Sequence, residues 1–199
     1  AIDSGTKFWD LISDKPFEQM QLGAEAREFI KQSAFYTPLP FVKRVVFIST
    51  PQHGAMLAAS RFVTGLASKL VNLPLTVVNN TALLAQIATS SGDEKVAAML
   101  SRPMTSIDNM NPNNPALQTL ASIPVAPGIR AHSIIAVEGD GPKEEGDDGV
   151  VAYKSAHIDE TVSEVVVHWS HSSQGRPEVI AEIKRILFEH LAASGEPRS

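Results

Sequence analysis

A strand-like apolar run that passes into an amphipathic helix is the feature that most constrains the fold of this chain. Residues 163–168, with the sequence SEVVVH, have the β-branched content typical of a strand. After Pro177, which suits the first position of a helix, apolar side chains recur at helical spacing as far as residue 191. These side chains are Val179, Ile180, Ile183, Ile186, Leu187 and Leu191. We predict a strand followed by a helix with one apolar face.

Two earlier apolar runs have the composition of buried strands. Residues 42–50 read VKRVVFIST, and their apolar core at 45–48 is continuous rather than alternating. A continuous run fits a central strand of a parallel sheet that is buried on both faces. Residues 129–137 form the second run, with Ile134 and Ile135 at its centre. Strands that alternate with helical segments predict an α/β fold with a parallel, doubly wound sheet.

The composition is that of a soluble globular protein and excludes several classes of function. The 199 residues fit one domain, with 43% hydrophobic and 20% charged residues. A net charge of −5 without a stripe of Lys and Arg argues against nucleic-acid binding. Because no apolar run approaches the roughly 20 residues of a membrane span, we expect no transmembrane segment. The chain has no cysteine, which excludes disulfides and thiolate metal sites.

The segment 55–127, between the first two strands, is too long for a simple crossover, and we predict that it forms a helical cap. Its apolar side chains recur at helical spacing over 57–71 and 83–100, and a short helix is expected at 116–121. The apolar faces of the cap would either line an acyl-binding cleft or form ordinary core. Before the first strand, we expect another helix over 24–33.

An acid and a histidine follow the second and third strands. Asp148 lies in the loop after the second strand, and His171 lies just past the third. If the strands are neighbours, both side chains emerge at one edge of the sheet, where parallel α/β folds bind ligands. A carboxylate there can orient an imidazole and stabilise its protonated form. On spacing alone, a surface histidine and a turn aspartate remain equally good interpretations.

Four motifs, taken in order along the chain, resemble the C-terminal part of the α/β-hydrolase superfamily, in its lipase- and esterase-like branch. In that family a strand ends in a TPH-G-type turn, an acid loop of the DG-V-V-P type follows, and a histidine lies between the final strand and the last helix. The matching segments are STPQHGA at 49–55, HSIIA at 132–136, DDGVVAYKSAH at 147–157 and SHSSQGRPEVIAEIKRIL at 170–187.

The resemblance implies a serine hydrolase in which Asp148 is the triad acid and His171 the general base. Asp148 is preferred to Asp147 because it directly precedes the Gly149 of the matching motif. The expected substrate is a carboxylic ester or a lipid-like small molecule, and no cofactor or metal is required. Gln52 and His53 depart from the family's turn, so no role is carried over to them.

The nucleophile that such an enzyme needs is absent from this sequence. A G-x-S-x-G elbow needs two glycines four positions apart, and no two glycines here have that spacing. Residues 1–5, AIDSG, are expected to be the end of a helix that closes on Gly5. On that expectation the domain is N-terminally incomplete, its serine lies about ten residues upstream, and the chain alone is inactive.

Other interpretations of the same residues stay open. The parent protein could be a non-catalytic binding module that keeps an α/β-hydrolase-like fold. The acidic loop at 138–148 could hold a hard cation such as Ca²⁺, although a solvated loop is favoured. His53 would either line the site or pack locally in its turn, and His132 is expected to be a hydrogen-bonded core residue. The three serines beside the base, Ser170, Ser172 and Ser173, are not credible nucleophiles because they lack an elbow.

Overall fold

The structure is a computed structural model, and it describes residues 1–55, 94 and 110–195. Within these ranges the regular elements alternate between helix and strand as expected for an α/β fold. In chain order they are α1 (Lys7–Ile12), a 3₁₀ turn (Phe17–Gln19), α2 (Ala24–Ala34), β1 (Arg44–Ile48), α3 (Pro115–Ala121), β2 (Arg130–Val137), a 3₁₀ turn (Lys143–Glu145), α4 (Tyr153–Ala156), β3 (Thr161–His168) and α5 (Pro177–Ser194).

The three strands form one parallel sheet in the order β1-β2-β3. Ile134 of β2 pairs with Ile48 of β1 on one side and with Val165 of β3 on the other. The predicted α/β class, the parallel sheet and the positions of all three strands are therefore confirmed. The carboxyl ends of all three strands lie at one edge of the sheet, which we call the rim.

The middle strand of the described sheet is β2 rather than β1. Seven consecutive residues of β2, Ala131 to Val137, are buried, whereas every residue of β1 is partly exposed. The expectation that the run at 45–48 is buried on both faces is wrong, because β1 pairs only with β2 in the described part of the chain. Val46 and Ile48, on one face of β1, pack against the core cluster that includes α5.

Apolar clusters cover the two faces of the sheet. On one face, buried side chains of β2 and β3 pack with Val179 of α5, and Val46, Ile48, Val165 and Ile183 complete this cluster. On the other face, Ile135 and Val137 pack against residues that follow the acidic loop, among them Val151 and Tyr153. Burial of each such aliphatic side chain contributes about 1.5–3 kcal/mol relative to exposure. The loop after β2 and helix α5 are thereby attached to opposite faces of one sheet.

Helix α5 has the predicted start and spacing, but its apolar face is broader than its contact with the sheet. Pro177 occupies the first turn, and the helix continues to Ser194, where Gly195 ends it with φ of +71°. Val179 and Ile186 are fully buried, whereas Leu187 is 54% exposed. Ile180 and Leu191 are exposed as well. None of the described helices is long and apolar enough to cross a membrane.

Residues 1–4 are extended, so the expectation that they end a helix is wrong. Ile2 forms an antiparallel bridge with Val125, and the N–H of Ser4 donates to the carbonyl of Tyr36 over 3.0 Å. These contacts keep residues 1–4 extended. The chain changes direction at Gly5, which has φ of +50°, and α1 follows. The estimate that a nucleophile lies about ten residues upstream depended on that helix and loses its basis.

The region of the predicted cap is described only in part. The short helix expected at 116–121 is present as α3, whose N-cap Asn114 accepts from the N–H of Ala116 over 2.8 Å. The apolar faces at 57–71 and 83–100 lie outside the described residues. The predicted helix at 24–33 is confirmed as α2.

Candidate active site

The loop after β2 and the residues after β3 bring an acid and a histidine into contact. β2 and β3 are neighbours, and their register pairs Val137 with His168, so both strands end at the rim. The Nδ1 atom of His171 lies 2.9 Å from Oδ2 of Asp148. The two residues that the sequence places after these strands are therefore joined side chain to side chain.

Backbone hydrogen bonds fix the same two residues. The N–H of His171 donates to the carbonyl of Asp148 over 2.9 Å. Two residues earlier, the N–H of Trp169 donates to the carbonyl of Val137 over 3.1 Å and extends the ladder past β3. Because the main chain already positions both residues, only the side-chain torsions of His171 remain to be set by its contact with the carboxylate.

Asp148 is a buried carboxylate whose two oxygens are both hydrogen-bonded. Its side chain is 1% exposed. The Oδ1 atom accepts the backbone N–H groups of Val150 and Val151 at 3.0 and 2.7 Å, while Oδ2 faces His171. With Oδ1 held by two backbone donors, the carboxylate is fixed in place, and its second oxygen can hold an imidazole in one orientation.

The sequence of the acidic loop explains why it adopts this shape. Oδ1 of Asp147 accepts the N–H of Gly149 over 2.7 Å, which is an Asx turn. Gly149 has φ of +85°, a region that glycine occupies without strain. The side chain of Asp147 is thus used within the turn, and that of Asp148 points to His171.

The outer nitrogen of His171 is open to the surface of the rim. The imidazole is 36% exposed, and its Nε2 atom has no hydrogen-bond partner among residues 1–55, 94 and 110–195. Because Nδ1 faces a carboxylate, the neutral ring carries its proton there and leaves the Nε2 lone pair free. Such a nitrogen can take a proton from a group placed at the rim and return it.

The turn that follows β1 lies at the same rim but does not contact this pair through any hydrogen bond found in the described residues. Its start is marked by Ser49, a non-glycine residue with φ of +44°, whose Oγ accepts the N–H of Ala136 over 3.2 Å. Both the N–H and the Nδ1 atom of His53 bond the carbonyl of Ser155, at 3.1 and 3.2 Å. His53 also lines a cavity of about 370 Å³ beside α3. Its hydrogen bonds are those of a turn histidine that packs locally.

The buried histidine of β2 has the structural role expected of it. His132 is 1% exposed, its Nδ1 lies 2.7 Å from Oγ of Ser163, and its Nε2 accepts from a guanidinium nitrogen of Arg44. Burial, followed by the charge of Arg44, lowers the pKa of His132 below its usual value. His132 is therefore a neutral link between the start of β2 and its surroundings, on the side of the sheet away from the rim.

Ser173, two residues after His171, is not placed to act as a nucleophile. Ser173 is completely buried, and its Oγ has no partner in the described part of the chain. Its backbone is used in the tight turn after His171, with its N–H donating to the carbonyl of His171 over 3.0 Å. A hydroxyl in that position cannot reach a substrate at the rim.

Of two further cavities, one lies at the rim and the other does not involve the Asp148–His171 pair. One, of about 290 Å³, lies at the rim and is lined by Glu138, Gly139, His168, Trp169 and Ser170. The guanidinium of Arg176 stacks over the Trp169 ring at 3.8 Å from its centroid. A second cavity, of about 650 Å³, is bounded by α1, α3 and the chain around Leu39, and neither member of the Asp148–His171 pair is among its lining residues.

The acidic loop does not gather its carboxylates around a common point. Within residues 1–55, 94 and 110–195, no group of three or more His, Cys, Asp or Glu side chains is arranged to hold a metal ion. Glu144 and Glu145 are exposed at the 3₁₀ turn, while Asp148 is turned inward.

One charged cluster beside the site was not predicted from the sequence. Glu164 of β3 accepts from Tyr153, His157 and Lys143, and we refer to these four residues as the Glu164 cluster. Tyr153 and His157 are four residues apart and stack with ring centroids 5.4 Å apart. The available signal was the one acidic residue of the β-branched run, because a carboxylate whose side chain is only partly exposed requires partners.

Comparison with known proteins adds little to this geometry. No protein-family model and no curated protein matches the chain. Among solved structures, the chain is similar to the mature form of the Bacillus licheniformis lipase BlEst2, with a TM-score of 0.41 and 15% identity. The similarity covers 74% of this chain and 55% of the lipase chain, so the chain spans little more than half the length of that lipase. At this distance the likeness decides neither family nor activity, and the site is interpreted from its own contacts.

Proposed function

We propose that Asp148 and His171 are the acid and the base of a Ser–Asp–His triad that hydrolyses carboxylic esters. The observation that carries the proposal is the 2.9 Å contact between His171 Nδ1 and a buried carboxylate, combined with an Nε2 atom open to the rim. This is the arrangement that a general base needs, because one nitrogen is oriented and the other is free to exchange a proton.

In the proposed reaction a serine hydroxyl attacks the acyl carbon while Nε2 of His171 takes its proton. The imidazolium, stabilised by Asp148, then returns the proton to the leaving alcohol, and a water molecule repeats the sequence to release the acid. Since the sequence has no G-x-S-x-G, the serine and the oxyanion-hole donors would come from polypeptide outside these 199 residues. No metal or organic cofactor takes part.

The finer features of the fold belong to the same proposal. An α/β-hydrolase carries a doubly wound sheet, of which β1, β2 and β3 would be the C-terminal strands. The segment 55–127 would supply a helical cap over the rim, and an ester or lipid-like molecule would bind between the two. The parallel sheet and the position of the Asp148–His171 pair at its rim support this proposal.

A non-catalytic binding module is the second candidate, and the absence of an elbow motif from the sequence favours it. Such a module would keep the hydrogen-bonded pair for stability alone. The two candidates differ in one property, which is the presence of a reactive serine in the native polypeptide.

The test uses the native protein that contains these residues, isolated with an antibody raised against the α5 sequence. Its intact mass is measured before and after treatment with a fluorophosphonate that labels activated serines. For an ester hydrolase we expect a mass well above 21.4 kDa that gains one adduct. A mass of 21.4 kDa without an adduct would contradict the proposal, and a larger protein that takes no label would favour the binding module.

Substitutions in the same protein then test the two assigned roles. We expect His171→Ala to abolish labelling and ester turnover, and Asp148→Asn to lower kcat by about 10⁴-fold, because an amide stabilises the wrong imidazole tautomer. Matched controls are His190→Asn, near the C-terminal end of α5, and Asp140→Asn, at an exposed aspartate of the acidic loop. Turnover in the His171→Ala variant at the rate of the controls would exclude His171 as the base.

A further inference from the structure

Glu164 is a single carboxylate that collects three donors from the chain on both sides of Asp148. Its Oε1 atom accepts the hydroxyl of Tyr153 over 2.6 Å and lies 3.4 Å from Nζ of Lys143. Its Oε2 atom lies 2.5 Å from Nδ1 of His157. Lys143 precedes Asp148 by five residues, and Tyr153 follows it by five. Glu164 therefore contacts the segment that carries Asp148 on both sides of that residue.

The strand that carries Glu164 is also the strand that leads to the histidine. Glu164 lies in β3, seven residues before His171, and β3 is paired with β2 over its whole length. Lys143, Tyr153 and His157 all belong to the chain between β2 and β3. The contacts of Glu164 thus connect the segment bearing Asp148 to the element that positions His171.

The other hydrogen bonds that join the acidic loop to β3 or to the residues after it lie at the two ends of the loop. Nδ1 of His168 lies 2.9 Å from the carbonyl oxygen of Gly139, and Asp148 bonds His171 through both main chain and side chain. Apolar packing against the sheet holds the residues after the loop. The Glu164 cluster adds polar contacts to β3 on both sides of Asp148.

The environment of Glu164 favours its charged form. Burial alone would raise the pKa of Glu164, but hydrogen bonds from Tyr153 and His157 outweigh burial, and the pKa lies below its usual value. The bond to Glu164 is the largest cause of a raised pKa for His157. The other charged or titratable groups that face His157 are Asp159, 3.2 Å from its Nε2, and Tyr153 on α4, with Lys143 next to Tyr153.

We propose that Glu164 is a positioning residue that holds the acidic loop against β3, so that Asp148 stays within hydrogen-bond distance of His171. The effect of Glu164 on turnover rests on the proposed function. Its effect on the Asp148–His171 geometry does not, because these two residues are in contact whether or not a nucleophile is present.

The first measurement is therefore made without substrate, by amide hydrogen exchange on this chain. In Glu164→Ala we expect the N–H groups of Val150 and Val151, which bind Asp148, to exchange roughly 10- to 100-fold faster, as expected when charge-assisted hydrogen bonds that close a loop are lost. Buried amides of β2, such as that of Ile134, should be unchanged. The matched control is Glu160→Gln, an exposed glutamate in the turn before β3. Equal exchange in Glu164→Ala and the control would overturn the proposal.

A conservative variant separates positioning from packing. In Glu164→Gln the side chain keeps its size. With its oxygen accepting from Tyr153 and Lys143, its NH₂ group faces Nδ1 of His157, where it can donate to the neutral ring but opposes the N–H of the imidazolium. We expect the ratio of the variant's exchange rate to the wild-type rate, measured at the same pH for Val150 and Val151, to be close to one at high pH and to increase as His157 becomes protonated. A ratio that does not depend on pH would mean that Glu164 acts only by filling space, and would overturn the proposal even if Glu164→Ala fails to fold.

In a catalytically active protein the same variants should lower kcat with little change in KM, because the acid is misplaced while the substrate site is intact. If the wild type itself shows no turnover, the proposed function fails and the exchange result still decides the role of Glu164.

Discussion

Both carboxylate oxygens of Asp148 already have partners inside the protein. Oδ1 is bound by two backbone N–H groups and Oδ2 by His171, so a cation or a substrate could bind this group only by displacing one of them. The role of Asp148 is therefore limited to the imidazole beside it. The cation site considered for residues 138–148 loses its most buried ligand for the same reason.

At the same scale, Gly54 is required where the turn after β1 passes close to another backbone. It has φ of +90°, and a Cβ atom there would lie 2.7 Å from the carbonyl oxygen of Met110. Gly128 has φ of +85° with nothing within 4 Å of its Cβ position. We expect Gly128→Ala to lower the free energy of unfolding by about 1–2 kcal/mol, because a residue with a Cβ atom is strained in the left-handed backbone conformation. Gly54→Ala should cost about 1–3 kcal/mol more, because the clash adds to that strain.

Urea denaturation of the two variants measures both costs. Equal destabilisation would show that the approach of Gly54 to Met110 is not maintained in solution. A larger cost for Gly54→Ala would show that the turn at the rim is fixed against the segment leading to α3.

At the residue scale the sequence indicated Asp148 and His171 as a pair but not what holds them. Both could be singled out because each lies in the segment that follows an apolar strand and falls within a motif that resembles the α/β-hydrolases. Glu164 could not, because its partners Lys143 and Tyr153 approach it only after the loop has folded. The αL conformation of Ser49 was equally hidden, since serine has no preference that marks it.

At the scale of elements, helix α5 shows which part of an apolar pattern is buried. At 100° of rotation per residue, the apolar side chains of the helix span an arc of about 140°. The sheet covers only the part of this arc that contains Val179, Ile183 and Ile186. The opposite flank of the helix is polar. There Glu189 bonds Arg44 of β1 and Arg130 of β2 at 3.2 and 2.6 Å. These ion pairs set the rotation of the helix, which hydrophobic spacing alone leaves undetermined.

Two adjacent positions of α5 test this rotation. Ile186 is fully buried and Leu187 is 54% exposed. We expect Ile186→Ala to lower the unfolding free energy of this chain by about 2–5 kcal/mol, through lost burial and the cavity left behind. Leu187→Ala should change it by no more than about 0.5 kcal/mol. Each variant is the other's control in chemical denaturation, and a reversed order would mean that α5 is rotated by one residue.

The strand order shows where sequence patterns stop being informative about elements. Three apolar runs predicted three parallel strands, and their boundaries differ from the observed ones by at most two residues. That β2 lies in the middle could not be deduced from composition, because the runs at 45–48 and 133–137 are equally apolar. Pairing depends on long-range contacts that the pattern of one strand does not encode.

At the scale of the whole molecule, two histidine networks affect stability in opposite directions as pH changes. Burial and Arg44 lower the pKa of His132, whereas Glu164 raises the pKa of His157. The ordinary value of both groups is 6.5. The stabilisation that depends on neutral His132 is complete above about pH 6.5 and is lost as pH falls below it, since the unfolded chain then binds the proton first. The stabilisation that depends on protonated His157 is complete below about pH 6.5 and is lost as pH rises through its higher folded pKa.

These opposite pH dependences predict that the free energy of unfolding is greatest near neutral pH. We assign its decrease at lower pH to His132 and its decrease at higher pH to His157. In a series of urea denaturations between about pH 5 and 8, we expect His132→Asn to flatten the acid side, because the variant no longer has a buried imidazole that protonates more readily when unfolded. His157→Asn should flatten the alkaline side and leave the acid side as in the wild type. His168→Asn, at an exposed histidine bonded only to the carbonyl of Gly139 among the described contacts, is the control and should leave both slopes unchanged. A change in the slope above pH 6.5 for His132→Asn would contradict the assignment of His132 as a neutral imidazole between Arg44 and Ser163. Only a group that is protonated in the folded state makes the protein less stable as pH rises.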